Sequence, residues 1–264
     1  MRPAFVTGGS SGIGLAAALL LAKKGHDIAL FARDTVKLAN ARRSILAAAP
    51  QITVCEFPVD VSDRNAITSA VEEAASKLGC PMIAIASAGV AYPGLFTEQP
   101  LEHHERQMAV NYFGTLYFTH AVTKLMSKAD GGQIGLISSG AAFVGIYGYA
   151  AYAPSKFALR GLAEVLRLEL EAQNISITVC YPPDTKTPQL EVENATKPAA
   201  TAEFTQGGGL WNAEAVALKL IEGMAKGRLV VTPGPQMLGL SWFGSLIAPV
   251  LRSYQRRLIR KHSS

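Results

Sequence analysis

Cysteine is scarce in this 264-residue chain, which has only Cys55, Cys80 and Cys180. Three thiols make no even disulfide framework, and their separations match no metal-binding pattern, so no metal site is expected. Apolar neighbours surround them, and they read as reduced core residues of an intracellular protein. Charge is sparse as well: 17% of residues are charged and 49% hydrophobic, proportions that suit a globular protein with a sizeable core. Long apolar runs are missing. The chain opens Met1-Arg2-Pro3, turns apolar at Ala4 and reaches Gly8. That leaves no room there for the core of a signal peptide or for a spanning helix. Near the other end, the 15 residues Met237–Leu251 carry no charge and contain Pro249. This falls short of the roughly 20 residues that cross a bilayer, and the proline is expected to interrupt it. No internal repeat or low-complexity tract is present.

Acidic residues are absent after Glu222, whereas Lys226, Arg228, Arg252, Arg256, Arg257, Arg260 and Lys261 all lie beyond it. The chain has 25 basic and 20 acidic residues, so without these seven cations it carries 18 against 20, about −2. The basic balance therefore belongs to the tail. It does not describe a groove for nucleic acid, and no interleaving of aromatic and basic residues supports one. An apolar stretch with Trp242 and Phe243, followed by a cationic helix from Arg252 to Lys261, is the composition of a segment lying in a membrane interface. Residues 237–261 are thus expected to meet a membrane surface; core or dimer packing is the plainer alternative.

What is present is a regular alternation. Apolar runs at 3–6, 27–32, 51–59, 81–87, 135–139, 175–181 and 229–232 take turns with helical patterns at 15–24, 35–49, 62–78, 101–126, 152–173 and 212–225. Such spacing predicts an α/β protein with a parallel sheet of about seven strands covered on both faces, in one domain over 1–233. The polar, proline-containing segment at about 183–211 reads as a loop or substrate lid. Residues 234–264 read as an apolar, then basic appendage.

Between the first strand and first helix lies Thr7-Gly8-Gly9-Ser10-Ser11-Gly12-Ile13-Gly14. A glycine-rich turn in this position lets backbone approach a pyrophosphate and aims helix N–H groups at it. At the end of the second strand stands Arg33, where an acidic residue would hold a ribose 2′-hydroxyl. An arginine there suits a 2′-phosphate and favours NADP(H) over NAD(H), although Asp34 is adjacent. Further on, Tyr152 and Lys156 are four apart and share one helix face. An ammonium beside a phenol favours the phenolate and lowers its pKa, so the pair is suited to exchanging a proton with a carbonyl. By itself, the same spacing also occurs by chance on many surface helices.

Taken together, Thr7-Gly8-x-x-x-Gly12-x-Gly14, Asn111, Ser139 and Tyr152-x-x-x-Lys156 resemble the short-chain dehydrogenase/reductase family over Ala4 to about Thr232. The resemblance implies a Rossmann-type doubly wound sheet. It assigns Tyr152 as proton donor, Lys156 as its partner and ribose ligand, Ser139 as carbonyl ligand and Asn111 as holder of a water behind Lys156. It places Gly8, Ser10, Ser11, Gly12, Ile13, Gly14, Arg33, Asp60, Val61, Ala88, Gly89, Pro182, Thr185 and Thr187 around the cofactor. Asp60 and Val61 would border the adenine, and Thr187 would hold the nicotinamide carboxamide. One departure stands out. The family usually has an asparagine where this chain has Ala86, in Ala86-Ser87-Ala88-Gly89, which puts that side chain's bonds within the sheet in doubt.

A narrower resemblance lies in Tyr181–Pro188, Glu191-x-Glu193-Asn194 and Thr196-Lys197-Pro198, which is similar to 3-ketodihydrosphingosine reductases. It implies NADPH-dependent reduction of a long-chain keto-amine lipid, with Asp184, Glu191 or Glu193 as a candidate carboxylate for the amine or simply as solvated lid residues. Reduction of another apolar ketone, such as a steroid or fatty ketone, is one alternative. A non-catalytic NADP(H)-binding regulator is another. The family often pairs the 101–126 and 152–173 helices between subunits, which implies a homodimer or homotetramer. A cytoplasmic protein peripheral to a membrane fits the whole reading.

Overall fold

The computed structural model describes residues 2–263. Strand β1 (Ala4–Thr7) is buried along its whole length, as a central strand covered on both faces must be. It pairs in parallel with β2 (Ile28–Ala32) on one side and β4 (Ile83–Ala86) on the other. β3 (Val54–Pro58) extends the sheet beyond β2. β5 (Gly132–Ile137) and β6 (Ile175–Cys180) extend it beyond β4. Short strands β7 (Thr185–Lys186) and β8 (Trp211–Asn212) form a separate ribbon, and β9 (Val230–Val231) closes the far edge beside β6. The main sheet thus has seven parallel strands in the order β3-β2-β1-β4-β5-β6-β9. Strand order reverses between β1 and β4, and the crevice beyond their C-terminal ends is where such a sheet binds ligands.

Helices α1 (Gly12–Lys23), α2 (Thr35–Ala48) and α9 (Ala213–Ala225) pack on one face. The other face carries α3 (Arg64–Leu78), α5 (Thr115–Lys128) and α6 (Tyr152–Glu169). Phe31 centres the second face, stacked on Phe57 at 5.1 Å and tilted against Phe118 at 5.8 Å. Asp34, Asp63 and Asn212 accept backbone N–H groups at the starts of α2, α3 and α9, which explains why these helices begin where they do.

The structure revises several boundaries. β5 starts at Gly132, three residues before the expected point, and stops before Ser138. Two glycines hide its start, because Gly132 and Gly135 sit where methionine sulfurs close in: a Cβ would lie 2.7 Å from Met126 Sδ and Met224 Sδ respectively. The long helix expected over 101–126 is α4 (Leu101–Gln107), a π-helical stretch (Met108–Gly114) and then α5. The segment expected as a loop or lid contains α7 (Pro188–Asn194) and α8 (Ala199–Gln206). The largest revision is at the C-terminus. α10 runs from Pro235 to His262 straight through Pro249, and it is packed on the body. Gln255 accepts from Tyr147 N at 2.8 Å and donates to Gly145 O at 3.0 Å. Lys261 and His262 pair with Glu203 of α8 at 2.8 and 2.7 Å. These contacts come from distant segments and hold a helix that its proline would otherwise weaken.

Candidate active site

The glycine turn is shaped by its missing side chains. Gly8 and Gly12 have φ of 64° and 54°, a left-handed conformation that glycine adopts freely. A Cβ on Gly8 would stand 2.8 Å from Ala88 N, and one on Gly14 would stand 2.4 Å from Gly8 O. The turn therefore closes on itself and on the end of β4. Thr7 Oγ1 accepts from Ser87 N at 3.1 Å and Ala88 N at 3.3 Å, tying down the segment that lacks the usual asparagine. Ser11 precedes α1 without making a side-chain cap, so the first N–H groups of that helix remain for a ligand. Ser10, Ser11, Gly12, Ile13, Ala88 and Gly89 line the cleft beside it. Backbone brought this close, with helix amides unsatisfied by side chains, fits a bound phosphate.

Arg33 is exposed on the same cleft, and Lys37 lines it one helical turn further on. Asp34 is turned away to its own helix, accepting Lys37 N at 3.0 Å and pairing with Lys37 Nζ at 3.9 Å. The acidic neighbour thus caps α2 and does not cancel Arg33, which makes no ion pair or hydrogen bond among the described residues. Asp60 and Val61 line the cleft nearby. Partial burial alone would raise the Asp60 carboxyl, but bonds from Ser62 and Arg106 outweigh it and hold it at about 2. Arg106, in α4, reaches Asp60 at 2.7 Å.

The reacting end is built where β5 stops. Ser139 follows the strand, and its Oγ accepts from Ala141 N at 3.2 Å, leaving the hydroxyl proton for another acceptor. Tyr152 opens α6, and Lys156 lies one turn on with Nζ 5.5 Å from the Tyr152 ring centre. Lys156 Nζ donates to Ile137 O at 3.1 Å, and Ser138 Oγ donates to Lys156 O at 3.1 Å, so strand and helix are locked together. Asn111 is fully buried in the π-helical stretch. Its Oδ1 accepts from Val90 N at 2.8 Å, and its Nδ2 donates to Val90 O and Ser155 Oγ, both at 3.0 Å.

Here electrostatics corrects the sequence expectation. Tyr152 is not lowered in the protein alone. Burial pushes its phenol upward, Glu193 and Asp184 add to this, and the Ser139 hydroxyl opposes it. Burial also lowers Lys156, to about 8, against a smaller opposing pull from Glu193. Desolvation outweighs the charge–charge effect because both groups lie in the packed interior. The phenol consequently keeps its proton at neutral pH.

Residues after β6 form the opposite wall. Pro182 O accepts from Gly140 N at 3.2 Å, and Thr185 donates to Pro183 O at 2.9 Å. Thr187 Oγ1 accepts from Leu190 N at 3.3 Å, capping α7, and its methyl faces Gly12 across the cleft. Behind them, the Tyr149 hydroxyl donates to Glu193, Lys197 pairs with Glu193 at 2.9 Å and with Asp184 at 3.3 Å, and Thr205 donates to Asp184 at 2.9 Å. One cleft of about 600 Å³ runs from Arg33 past Tyr152 to Leu240, Ile247 and Leu251 of α10.

Residues 2–198 match the family model described as short chain dehydrogenase. The chain belongs to the short-chain dehydrogenase family. It is 40% identical to the 3-dehydrosphinganine reductase of Danio rerio over 249 residues, 93% of this chain and 75% of that one. Against the 3-ketodihydrosphingosine reductase of Mus musculus the identity is 37%, with the same coverage of both chains. A short-chain dehydrogenase from Sphingobium yanoikuyae, solved in complex with NADPH, shares the fold with a TM-score of 0.80 at 23% identity, over 98% of this chain and 96% of that one.

The structure of this short-chain dehydrogenase brings the site residues named from sequence to one cleft except Gly14, packed beneath the turn against Gly8, Asn111, which stands behind the cleft, and Glu191, which is exposed on α7. Thr7 and Lys197 stand in the motifs quoted from sequence but had no role there, and Lys37, Arg106, Tyr149 and the cleft-lining flank of α10 were missed. A four-residue step from Glu193 to Lys197 was the one local signal for the ion pair. Arg106 and α10 offered none, since their partners are distant in sequence.

Proposed function

We propose that this protein reduces the ketone of 3-ketodihydrosphingosine to the alcohol of dihydrosphingosine with NADPH. The observation that carries this is the gathering of Ser139, Tyr152 and Lys156 in one cleft, in a chain 40% identical over 93% of its length to a reductase of that name. When bound, NADPH supplies the hydride. The Gly8–Gly14 turn would hold its pyrophosphate, Arg33 and Lys37 its 2′-phosphate, Asp60 and Val61 its adenine. Ala88, Gly89, Pro182, Thr185 and Thr187 would enclose the nicotinamide end.

The chain's own part is placement and a proton. Ser139, whose hydroxyl meets the Tyr152 phenol, would turn its proton to the carbonyl oxygen and steady developing negative charge there. Tyr152 holds its proton at neutral pH, the state a donor needs for reduction. Lys156 uses one of its donors on Ile137, leaving two for the nicotinamide ribose and for the phenolate left after proton transfer. Both Asn111 amide donors are occupied, so a relay water behind Lys156 would be held by an oxygen of Asn111. Purified protein should consume NADPH faster with 3-ketodihydrosphingosine than with a steroid or fatty ketone. If Tyr152→Phe abolishes turnover yet leaves cellular function intact, the regulatory reading replaces the enzymatic one.

The long alkyl chain of such a substrate points to a membrane. No helix among the described residues is long and apolar enough to cross one. On α10, Leu238, Trp242, Leu246 and Val250 recur every four residues as an exposed stripe, with Trp242 and Leu246 exposed by 74% and 77%. The opposite flank lines the cleft. A peripheral position on the cytoplasmic face of a membrane, with this stripe in the interface and the tail cations against anionic lipid, lets a lipid ketone enter directly. Replacing Trp242 and Leu246 by glutamate should remove the protein from pelleted anionic vesicles; unchanged pelleting contradicts this placement. Exposed Phe157, Val165 and Leu168 on α6 suit a homodimer or homotetramer, which a light-scattering mass would test.

A further inference from the structure

The lid places one carboxylate much closer to the chemistry than the others. Glu191 is exposed on α7, and Asp184, whose Lys197 and Thr205 bonds both fall on Oδ2, bears on the Tyr152 phenol less than Glu193 does. Glu193 is 6% exposed and lines the cleft. The two bonds it makes, from Tyr149 and from Lys197, both fall on Oε1. Its Oε2 has no hydrogen-bond partner among the described residues, although a carboxylate accepts on both oxygens. Tyr149 in turn packs edge-on against Tyr152, with ring centroids 5.3 Å apart. Glu193 is therefore two side chains from the phenol that protonates the ketone.

Charge balance points the same way. Lys197 is the cation shared by Asp184 and Glu193, and its side chain is 1% exposed. One buried cation between two carboxylates leaves a net charge of about −1, which a low-dielectric site disfavours unless a further cation joins it. In an amine borne by the carbon next to the ketone, the ammonium lies about one hydrogen-bond length from the carbonyl oxygen. A carboxylate that reads this amine must lie close to Tyr152, and Glu193 lines the same cleft with only Tyr149 between them. Lys156, with Nζ 5.5 Å from the Tyr152 ring centre, repels an ammonium, so a carboxylate and a cation both bear on which way the substrate lies.

We propose that Glu193 is a specificity residue that accepts the ammonium adjoining the ketone through Oε2, with Tyr149 and Lys197 positioning it. This rests on the keto-amine reading above. The experiment compares NADPH-dependent kcat/KM for 3-ketodihydrosphingosine and its des-amino 3-ketone, in the intact protein, Glu193→Gln and Glu193→Asp. The intact protein should prefer the amine by about 10- to 100-fold, the range of a charge-assisted hydrogen bond. Glu193→Gln should bring that preference close to unity by lowering kcat/KM for the amine far more than for the des-amino ketone, and Glu193→Asp should restore part of it. If Glu193→Gln slows both ketones alike, the residue merely latches the lid, and the proposal falls. Should the variants not fold, the intact protein still decides: equal use of both ketones overturns the amine contact alone, and use of only the des-amino ketone overturns the keto-amine reading as well.

Discussion

The two ends of the cleft are made of different material. At the dinucleotide end the walls are backbone: a turn whose glycines admit no Cβ, a helix start with free N–H groups, and the closing residues of β1 and β4. At the substrate end they are side chains brought from far apart, with Tyr149 before α6, Glu193 and Lys197 on either side of Ala195, and the apolar flank of α10. A backbone site demands particular residues at short spacings and tolerates few others. A side-chain site can be assembled from any segments that the fold brings together.

Substitutions should separate the two ends. The largest effect is expected at their junction: Tyr152→Phe should lower kcat about 10²- to 10⁴-fold, the contribution of a positioned acid, with the NADPH Kd from fluorescence titration unchanged. Next comes the backbone end. Gly14→Val puts side-chain atoms where Gly8 O stands 2.4 Å away, and NADPH binding should weaken more than about 100-fold, with about 1–3 kcal/mol of stability lost to overpacking. Arg33→Ala should reduce the preference for NADPH over NADH by about 10- to 100-fold, the range for a charged hydrogen bond, and Lys37→Ala by less.

A pH series sharpens the junction further. The Lys156 ammonium is lowered from 10.5 to about 8 by burial. Between these values the unfolded lysine holds a proton that the folded one has lost, so stability from this group rises with pH across the window. Activity should run the other way, with kcat for ketone reduction falling as pH climbs through about 8 and the ammonium disappears. Thermal melts and kcat measured over the same range check both, and Lys156→Met should flatten the stability trend. The smallest effect is at Asp60. Its carboxyl, held at about 2 against an ordinary 3.8, contributes stability above 3.8 that is lost as pH falls towards 2. Arg106→Met should lessen that acid loss and raise the NADPH Kd only about two- to fivefold, as for a partly exposed ion pair.

Legibility follows the same division. The seven strands, the six principal helices of the sheet and every residue of the glycine turn could be read from period and spacing, because parallel strands are continuous apolar runs and a phosphate turn needs glycine. Tyr152 and Lys156 could be read because α6 begins at Tyr152 itself and carries the pair on one face, whereas Ser139 came only with the family resemblance. The direction of the Tyr152 shift could not, since it depends on how deeply the packed fold buries the phenol and on Asp184 and Glu193, which lie more than 30 residues further along the chain. The path of α10 through Pro249 was hidden for a similar reason: Gln255, Lys261 and His262 hold it by contacts no local pattern announces. α7 and α8 were hidden by being short and polar, stabilised by a Thr187 cap and by the Lys197 ion pairs more than by an apolar periodicity.

The proposed function stands or falls on whether this cleft passes a proton to the ketone of a long-chain keto-amine. NADPH consumption by the purified protein, given 3-ketodihydrosphingosine beside a steroid ketone and a simple fatty ketone, tests it most directly. Turnover should be fastest with the keto-amine and lost in Tyr152→Phe. Turnover of the simple ketones with none of the keto-amine would contradict it.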